Sequence, residues 1–454
     1  MKSSLLICNG LVIHGDGERL ENIRISGEKI IAVAPDLQPG ENEPVLDAGG
    51  KWIFPGIIDS HTHMGIPIKD QTSADNFETG SRSALNGGVT TIIDFTVLKR
   101  NETLGASIAR RQQEAEKSHC DVSLHCNFTR FSHDLLKEIP QVMQDGIISF
   151  KVFTTYNEAG MMLDYSEIAE TAQVIRHHGG LLMVHAEDDE TIKAATAGIP
   201  ATAENDPYSH GLSRPDTAEE TAIKALARIA EETECPVYIV HLNSARGLAA
   251  AKISSRLLIE TCPHYLLLDD SVYRRADGSM FVASPPLRKP EDIRRLWQAL
   301  AADEVHTLGT DHCPFCRSQK PAGLPYNRIP NGMGGVETLF PVMLAQWLKR
   351  GLPKTQLTNL MSARPAAIFG LSQKGDISPG KDADLVIVNP GKISHDWQDR
   401  LVSITDWNAY ISFPALFPED VFLRGQHVVK NNELNSLSTG KFIPAVRGSY
   451  TRDH

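Results

Sequence analysis

The chain has 454 residues, which suits a barrel of ~250 to 400 residues together with a smaller domain. Hydrophobic residues at 41% and charged residues at 22% are ordinary for a globular protein. The net charge of −11 and the lack of a long basic run argue against nucleic-acid binding. Seven scattered cysteines do not form a disulfide pattern, and no apolar run suits a signal peptide or membrane span. We therefore expect a cytoplasmic protein with no membrane partner.

The first 50 residues are predicted to form short β-strands. Apolar runs at 4–7, 11–13, 23–25 and 30–33 are separated by turn signals such as Asp16-Gly17. They are too few to make a stable domain by themselves.

From Pro55 the pattern changes to apolar runs that alternate with helical stretches, which is typical of parallel strands with crossover helices. Eight such runs predict an α/β fold built on a closed (β/α)8 barrel over residues 55–375. The runs are 57–59, 90–95, 122–127, 147–153, 181–185, 237–241, 257–261 and 305–310. Two long loops, 195–214 and 312–337, are expected at the catalytic end of this barrel.

After about residue 375 the β pattern returns, at 383–388 and 421–429. Neither end of the chain is large enough to fold alone. We therefore predict that residues 1–54 and 376–454 pair into one β-sandwich domain beside the barrel.

Residues of the types that bind metals end four of the apolar runs. His61 and His63 follow the first run at an i, i+2 spacing, so both imidazoles can face one ion. His185, His241 and Asp311 end the fifth, sixth and eighth runs. Any one of these histidines is more often a core residue. Because barrel active sites lie where the strands end, the five together favour a metal site.

Lys151 lies inside the apolar run 147–153. A charged, unpaired lysine there is costly, so burial is expected to lower its pKa toward that of a neutral amine. A neutral amine can add carbon dioxide to become a carbamate, an anionic ligand with two oxygens that can bridge two metals. Considered without the other ligands, Lys151 is better explained as a lysine that reaches solvent past the strand end.

These residues resemble the amidohydrolase superfamily, and within it the dihydropyrimidinase and hydantoinase group of cyclic amidases. The resemblance covers nearly the whole chain. Its most specific segments are Asp59-Ser60-His61-Thr62-His63, Ser149-Phe150-Lys151-Val152-Phe153, Tyr238-Ile239-Val240-His241, Gly309-Thr310-Asp311-His312-Cys313 and Ile329-Pro330-Asn331-Gly332.

The resemblance implies two divalent ions per chain that share Lys151, carboxylated to N6-carboxylysine, as a bridging ligand. The first ion would also bind His61, His63 and Asp311, and the second His185 and His241. Zn²⁺ is the expected metal, although Mn²⁺, Co²⁺ and Ni²⁺ suit the same ligands.

The resemblance also implies catalytic and substrate-binding roles. Asp311 would move a proton from the attacking water to the leaving nitrogen, and Tyr156 would donate to the developing oxyanion. Ser284 and Asn331 match positions that hold the ring amide through backbone groups. The expected protein is a homotetramer that opens a small cyclic ureide, a 5,6-dihydropyrimidine or a 5-substituted hydantoin, to the N-carbamoyl amino acid.

Three alternatives remain open. Dihydroorotases usually carry an arginine two residues after the second histidine, where this chain has Gly65, although Lys69 and Arg100 are cations in nearby loops. Allantoinases usually lack the tyrosine present here as Tyr156. An interaction protein like the collapsin response mediator proteins keeps the fold without the metal site, and all six ligand positions are retained here.

Overall fold

A computed structural model describes residues 4–435 and 439–450. The chain begins with five strands: β1 (Ser4–Ile13), β2 (Glu18–Ser26), β3 (Lys29–Ala34), β4 (Val45–Asp47) and β5 (Trp52–Pro55). The strands predicted at 4–7 and 11–13 are one strand, β1. Asn9 takes a positive φ of 64°, and the pairing of β1 with β2 shifts register between Ile7 and Gly10. The Asn9-Gly10 pair therefore makes a bulge and not a turn.

The next ten strands form the barrel and one small hairpin. They are β6 (Ile57–Thr62), β7 (Pro67–Ile68), β8 (Gln71–Thr72), β9 (Val89–Phe95), β10 (Asp121–Asn127), β11 (Ser149–Phe153), β12 (Leu181–His185), β13 (Val237–Ile239), β14 (Leu257–Thr261) and β15 (Thr307–Leu308). The barrel strands follow the order β6, β9, β10, β11, β12, β13, β14, β15, and neighbours pair in parallel. A parallel bridge between Thr62 and His312 links the first strand to the last. β7 and β8 form the antiparallel hairpin.

Each predicted barrel run overlaps one of these strands. The sixth ends at Ile239, two residues earlier than expected, because His241 has a φ of 43°, outside the β region. Every residue of β9, β12 and β14 is buried, as expected for parallel strands covered on both faces.

In the described part of the chain, fourteen α-helices connect and cover the strands. They are α1 (Phe77–Asn86), α2 (Leu104–Ala115), α3 (His133–Leu136), α4 (Ile139–Gln144), α5 (Tyr165–His178), α6 (Asp189–Ala197), α7 (Tyr208–Ser213), α8 (Asp216–Thr233), α9 (Ala245–Ala251), α10 (Pro263–Leu267), α11 (Pro290–Ala301), α12 (Leu339–Lys349), α13 (Lys354–Thr358) and α14 (Arg364–Ile368). The side chain of Asp164 caps the start of α5, and Gly179, with a φ of 79°, ends it. The predicted loop 195–214 is partly helical, since α7 begins within it after Pro207.

Shorter helical turns complete the connections. Those of the 3₁₀ type are Asn157–Ala159, Ala201–Ala203, Asp270–Arg274, Gly278–Phe281, Arg317–Gln319, Pro390–Lys392 and Gln398–Arg400. A π-helical turn, Asn359–Ala363, joins α13 to α14.

The chain ends with β16 (Leu385–Val388), β17 (Asp420–Leu423), β18 (Gln426–Lys430) and β19 (Glu433–Leu434). These strands and β1 to β5 form one nine-stranded sheet, in which β16 pairs antiparallel with β5. Both ends of the chain therefore build one sheet beside the barrel, and the predicted fold class is confirmed. The domain boundaries at 54/55 and 375/376 stay a prediction.

The inside of the barrel and one face of the sheet each have a buried cluster of their own, and a third, larger cluster packs the sheet against the barrel and its helices. Inside the barrel, Ile58, Met183 and Tyr238 pack with Phe369, which follows α14. The sheet has its own cluster, which includes Ile25 and Leu385. Within residues 4–435 and 439–450 we find no helix with the length and apolar character needed to cross a membrane.

Candidate active site

Four of the predicted ligands meet where the barrel strands end. Nε2 of His61 lies 3.2 Å from Oδ1 of Asp311 and 3.2 Å from Nζ of Lys151. Nε2 of His63 lies 3.0 Å from the same carboxylate oxygen. His61, His63 and Asp311 thus place three ligand atoms around one point, a geometry that can hold a metal ion.

The other two predicted ligands lie beside this group. Nδ1 of His185 is 3.0 Å from Nε2 of His241, and the rings of His61 and His241 are 5.5 Å apart. Burial lowers the pKa of His185, against the opposing effect of Glu187, and lowers that of His241 well below the usual range, which favours the neutral form of both rings. Neutral imidazole nitrogens directed at one another are the donor set that a divalent cation requires.

A buried glutamate orients His61. Oε1 of Glu260, on β14, lies 2.7 Å from Nδ1 of His61, so that the other ring nitrogen faces Asp311. Glu260 also accepts hydrogen bonds from the Tyr238 hydroxyl and the His241 amide. Carboxylates that bind the far nitrogen of a metal-ligating histidine fix its ring and raise its basicity. Sequence analysis missed Glu260, although an acidic residue inside the apolar run 257–261 was a signal for it.

A second buried glutamate, Glu187, orients the ring of His185. Oε2 of Glu187 lies 2.7 Å from Nε2 of His185 and accepts a 2.7 Å hydrogen bond from Nη2 of Arg214. Burial raises the pKa of Glu187, but the Arg214 charge and the histidine outweigh burial and hold it well below the usual range. Glu187 is therefore an anion that keeps the other nitrogen of His185 directed at His241.

Lys151 is buried in the middle of β11. Its Nζ lies 4.4 Å from the centre of the Phe95 ring and 5.3 Å from that of Phe153. Burial lowers its pKa to about 8, although the Asp311 charge opposes the shift. Much more of this amine than of an ordinary lysine is therefore neutral near neutral pH, and the neutral form is the one that can react with carbon dioxide.

Three of the predicted site residues have left-handed backbone conformations, with φ of 67° at Tyr156, 43° at His241 and 51° at Asp311. Such conformations cost of order 1 to 3 kcal/mol each for residues with a side chain, and they cluster at functional sites.

The Tyr156 ring lies 5.1 Å from the His185 ring and 4.9 Å from the Arg214 guanidinium. Burial raises the pKa of Tyr156, so its hydroxyl remains a hydrogen-bond donor.

These groups line a cavity of about 420 Å³, a size suited to a small ligand. The predicted site residues in its wall are His63, Lys151, Tyr156, His185, His241, Ser284, Asp311 and Asn331. His61 is fully buried. The rest of the wall is mostly apolar and includes Ile66, Ile68, Leu98 and Met161. All nine predicted residues thus lie in or beside one cavity.

A buried lysine that sequence analysis missed connects two loops of this cavity. Nζ of Lys320 donates to the carbonyl oxygens of Val282 at 2.8 Å and Gly332 at 2.6 Å. Val282 is two residues before Ser284, and Gly332 follows Asn331. Burial lowers the pKa of Lys320 to about 7. The sequence does not distinguish Lys320 from a surface lysine. Its partners are backbone carbonyls of other segments, which no residue pattern predicts.

The comparisons with known proteins agree with this architecture. The sequence profile of the amidohydrolase family matches residues 52–412. D-phenylhydantoinase of Escherichia coli O81 (strain ED1a) is 32% identical, over 97% of this chain and 99% of that protein.

Solved structures of related proteins superimpose over nearly the whole chain. Dihydropyrimidinase from Brevibacillus agri NCHU1002 is 30% identical with a TM-score of 0.93, over 99% of each chain. L-hydantoinase from Arthrobacter aurescens is 27% identical with a TM-score of 0.88, over 98% of this chain and 100% of that one. This chain belongs to the amidohydrolase family, in its hydantoinase and dihydropyrimidinase group.

Proposed function

We propose that the protein is a binuclear metal-dependent hydrolase that opens the cyclic amide bond of 5,6-dihydropyrimidines or 5-substituted hydantoins. The product is the N-carbamoyl amino acid. The observation that carries this proposal is the convergence of four histidines, Asp311 and Lys151 on one side of a 420 Å³ cavity. The names of the related hydantoinases and of the dihydropyrimidinase support the substrate class. Zinc as the resident ion, a homotetramer and a cytoplasmic location are part of the proposal by resemblance.

The residues that would hold the ions fall into two groups. His61, His63 and Asp311 would bind one ion, and His185 and His241 the other, with carboxylated Lys151 between them. Ions bound there would lower the pKa of a water molecule and polarise the amide carbonyl.

The chain's own groups would move the proton and position the substrate. The Asp311 carboxylate would accept a proton from the attacking water and deliver it to the leaving nitrogen. The protonated Tyr156 hydroxyl would donate to the carbonyl oxygen as negative charge develops there. The backbone at Ser284 and Asn331 would hold the ring amide, and Lys320 would keep these two segments at a fixed separation.

The proposal predicts about two divalent ions per chain, because six ligand-type side chains converge at one site. Elemental analysis after gentle purification measures the metal content, and a strong chelator is expected to abolish turnover of dihydrouracil or hydantoin. Added zinc, manganese, cobalt or nickel should restore it. Trace metal only, with turnover unaffected by chelator and by added ions, would refute the mechanism.

Glu260→Gln is expected to weaken metal binding by about 10- to 100-fold, because the amide no longer draws the Nδ1 proton of His61 as a carboxylate does. Metal titration of the chelated protein gives the affinity. Glu219→Gln is a matched control, since Glu219 is also a buried carboxylate but binds the Asn243 and Ser244 amides. Equal losses of affinity in the two variants would mean that Glu260 has no specific effect on His61.

A further inference from the structure

Lys69 places a positive charge at the mouth of the cavity. It lies between β7 and β8 with a φ of 54°. Its Nζ donates to the carbonyl oxygen of Ile329 at 2.5 Å and lies 3.4 Å from Oδ1 of Asn331. These neutral oxygens direct the ammonium toward the cavity wall but do not neutralise it.

No carboxylate of the described residues lies within 4 Å of this nitrogen. The adjacent carboxylate, Asp70, is 3.6 Å from Arg328 instead. Another cation near the cavity, Arg214, is neutralised by Glu187. Lys69 therefore carries a charge that the nearby protein groups leave uncompensated.

The surroundings of this charge are apolar. Outside the proposed metal centre, Lys69 is the only charged residue among the described residues that line the cavity. Its neighbours along the chain, Ile66 and Ile68, line the cavity, as does Leu98. An apolar wall beside a single cation is complementary to a short hydrocarbon chain that ends in an anion.

We propose that Lys69 selects substrates whose exocyclic substituent ends in a carboxylate. This inference rests on the proposed function and specifies its substrate class. Asn331, beside the ammonium, belongs to the segment proposed to hold the ring amide. A ring held there would direct its substituent along the wall formed by Ile66, Ile68 and Leu98, and a terminal carboxylate would meet Nζ of Lys69.

The test compares two substrates of equal size, 5-(2-carboxyethyl)hydantoin and its primary amide, with the metal-loaded, full-length enzyme. The wild type is expected to hydrolyse the acid with a kcat/KM about tenfold higher than that of the amide. The expected factor is modest because solvent reaches Lys69 and screens its charge. The comparison is made at pH 7, since partial burial lowers the pKa of Lys69 to about 8. Added salt should reduce the preference.

Lys69→Met should remove the preference by lowering kcat/KM for the acid about tenfold, with the value for the amide changed less than twofold. Lys69→Arg should retain the preference. Lysine and methionine are equally unfavourable in the left-handed conformation of this turn, so Lys69→Met does not change the backbone strain. Lys137→Met, at an exposed lysine that pairs with Asp134, controls for the change in net charge.

Equal or lower wild-type kcat/KM for the acid would overturn the inference. So would a Lys69→Met variant that loses activity on both compounds equally. Failure of the proposed function has a different result: the wild type would then hydrolyse neither compound, nor unsubstituted hydantoin, nor dihydrouracil.

Discussion

Lys151→Ala is expected to lose bound metal and to lower kcat/KM by roughly 10³-fold or more, because the ions supply several kcal/mol of transition-state stabilisation. The side chain is buried and its Nζ lies 3.2 Å from Nε2 of His61. Without this side chain, no anionic ligand would connect the two groups of histidines that are proposed to bind the ions. Elemental analysis and turnover of a cyclic ureide measure the two losses, and short carboxylic acids such as acetate should restore part of both.

Lys320→Met is the matched control for this experiment. Lys320 is also a buried lysine with a lowered pKa, but it binds backbone carbonyls and no predicted ligand. Its variant should retain metal while binding substrate less well. The same metal loss in both variants would indicate general destabilisation. An unmodified Lys151 in active, metal-loaded enzyme, seen by intact mass or crystallography, would contradict carboxylation.

Tyr156→Phe should lower kcat by ~10²-fold or more with a smaller change in KM, because the hydroxyl is proposed to act mainly on the transition-state oxyanion. The ring remains, so its packing against His185 and Arg214 is retained. Steady-state kinetics on dihydrouracil or a hydantoin separates kcat from KM.

Tyr165→Phe provides the comparison, since that hydroxyl binds Asp188 and Tyr165 is not among the residues that line the cavity. Its kcat should stay near the wild-type value. If Tyr156→Phe instead raises KM and leaves kcat almost unchanged, Tyr156 binds the ground state and the proposed oxyanion role is wrong.

The sequence by itself determined the fold class and identified the candidate metal ligands. Both conclusions rest on short-range information, since an apolar run predicts a buried strand and the residue that ends it is read directly from the chain. Parallel strands of a barrel then bring such ends to the same rim. His61, His185 and His241 could be predicted in this way, with the resemblance to a known family adding Lys151 as a bridging ligand and the roles of Tyr156, Ser284 and Asn331.

Only the tertiary structure decided which groups orient and surround these residues. Glu260 lies 199 positions from His61, and Lys320 binds the carbonyl of Val282, 38 positions away. No periodicity connects positions so distant, because these contacts depend on how the strands and loops pack together. The left-handed backbone at Tyr156 is likewise maintained by its surroundings against the preference of the residue. For the same reason, the sequence placed Lys69 in a loop, and only the fold showed that its ammonium binds the carbonyl of Ile329 in the cavity wall.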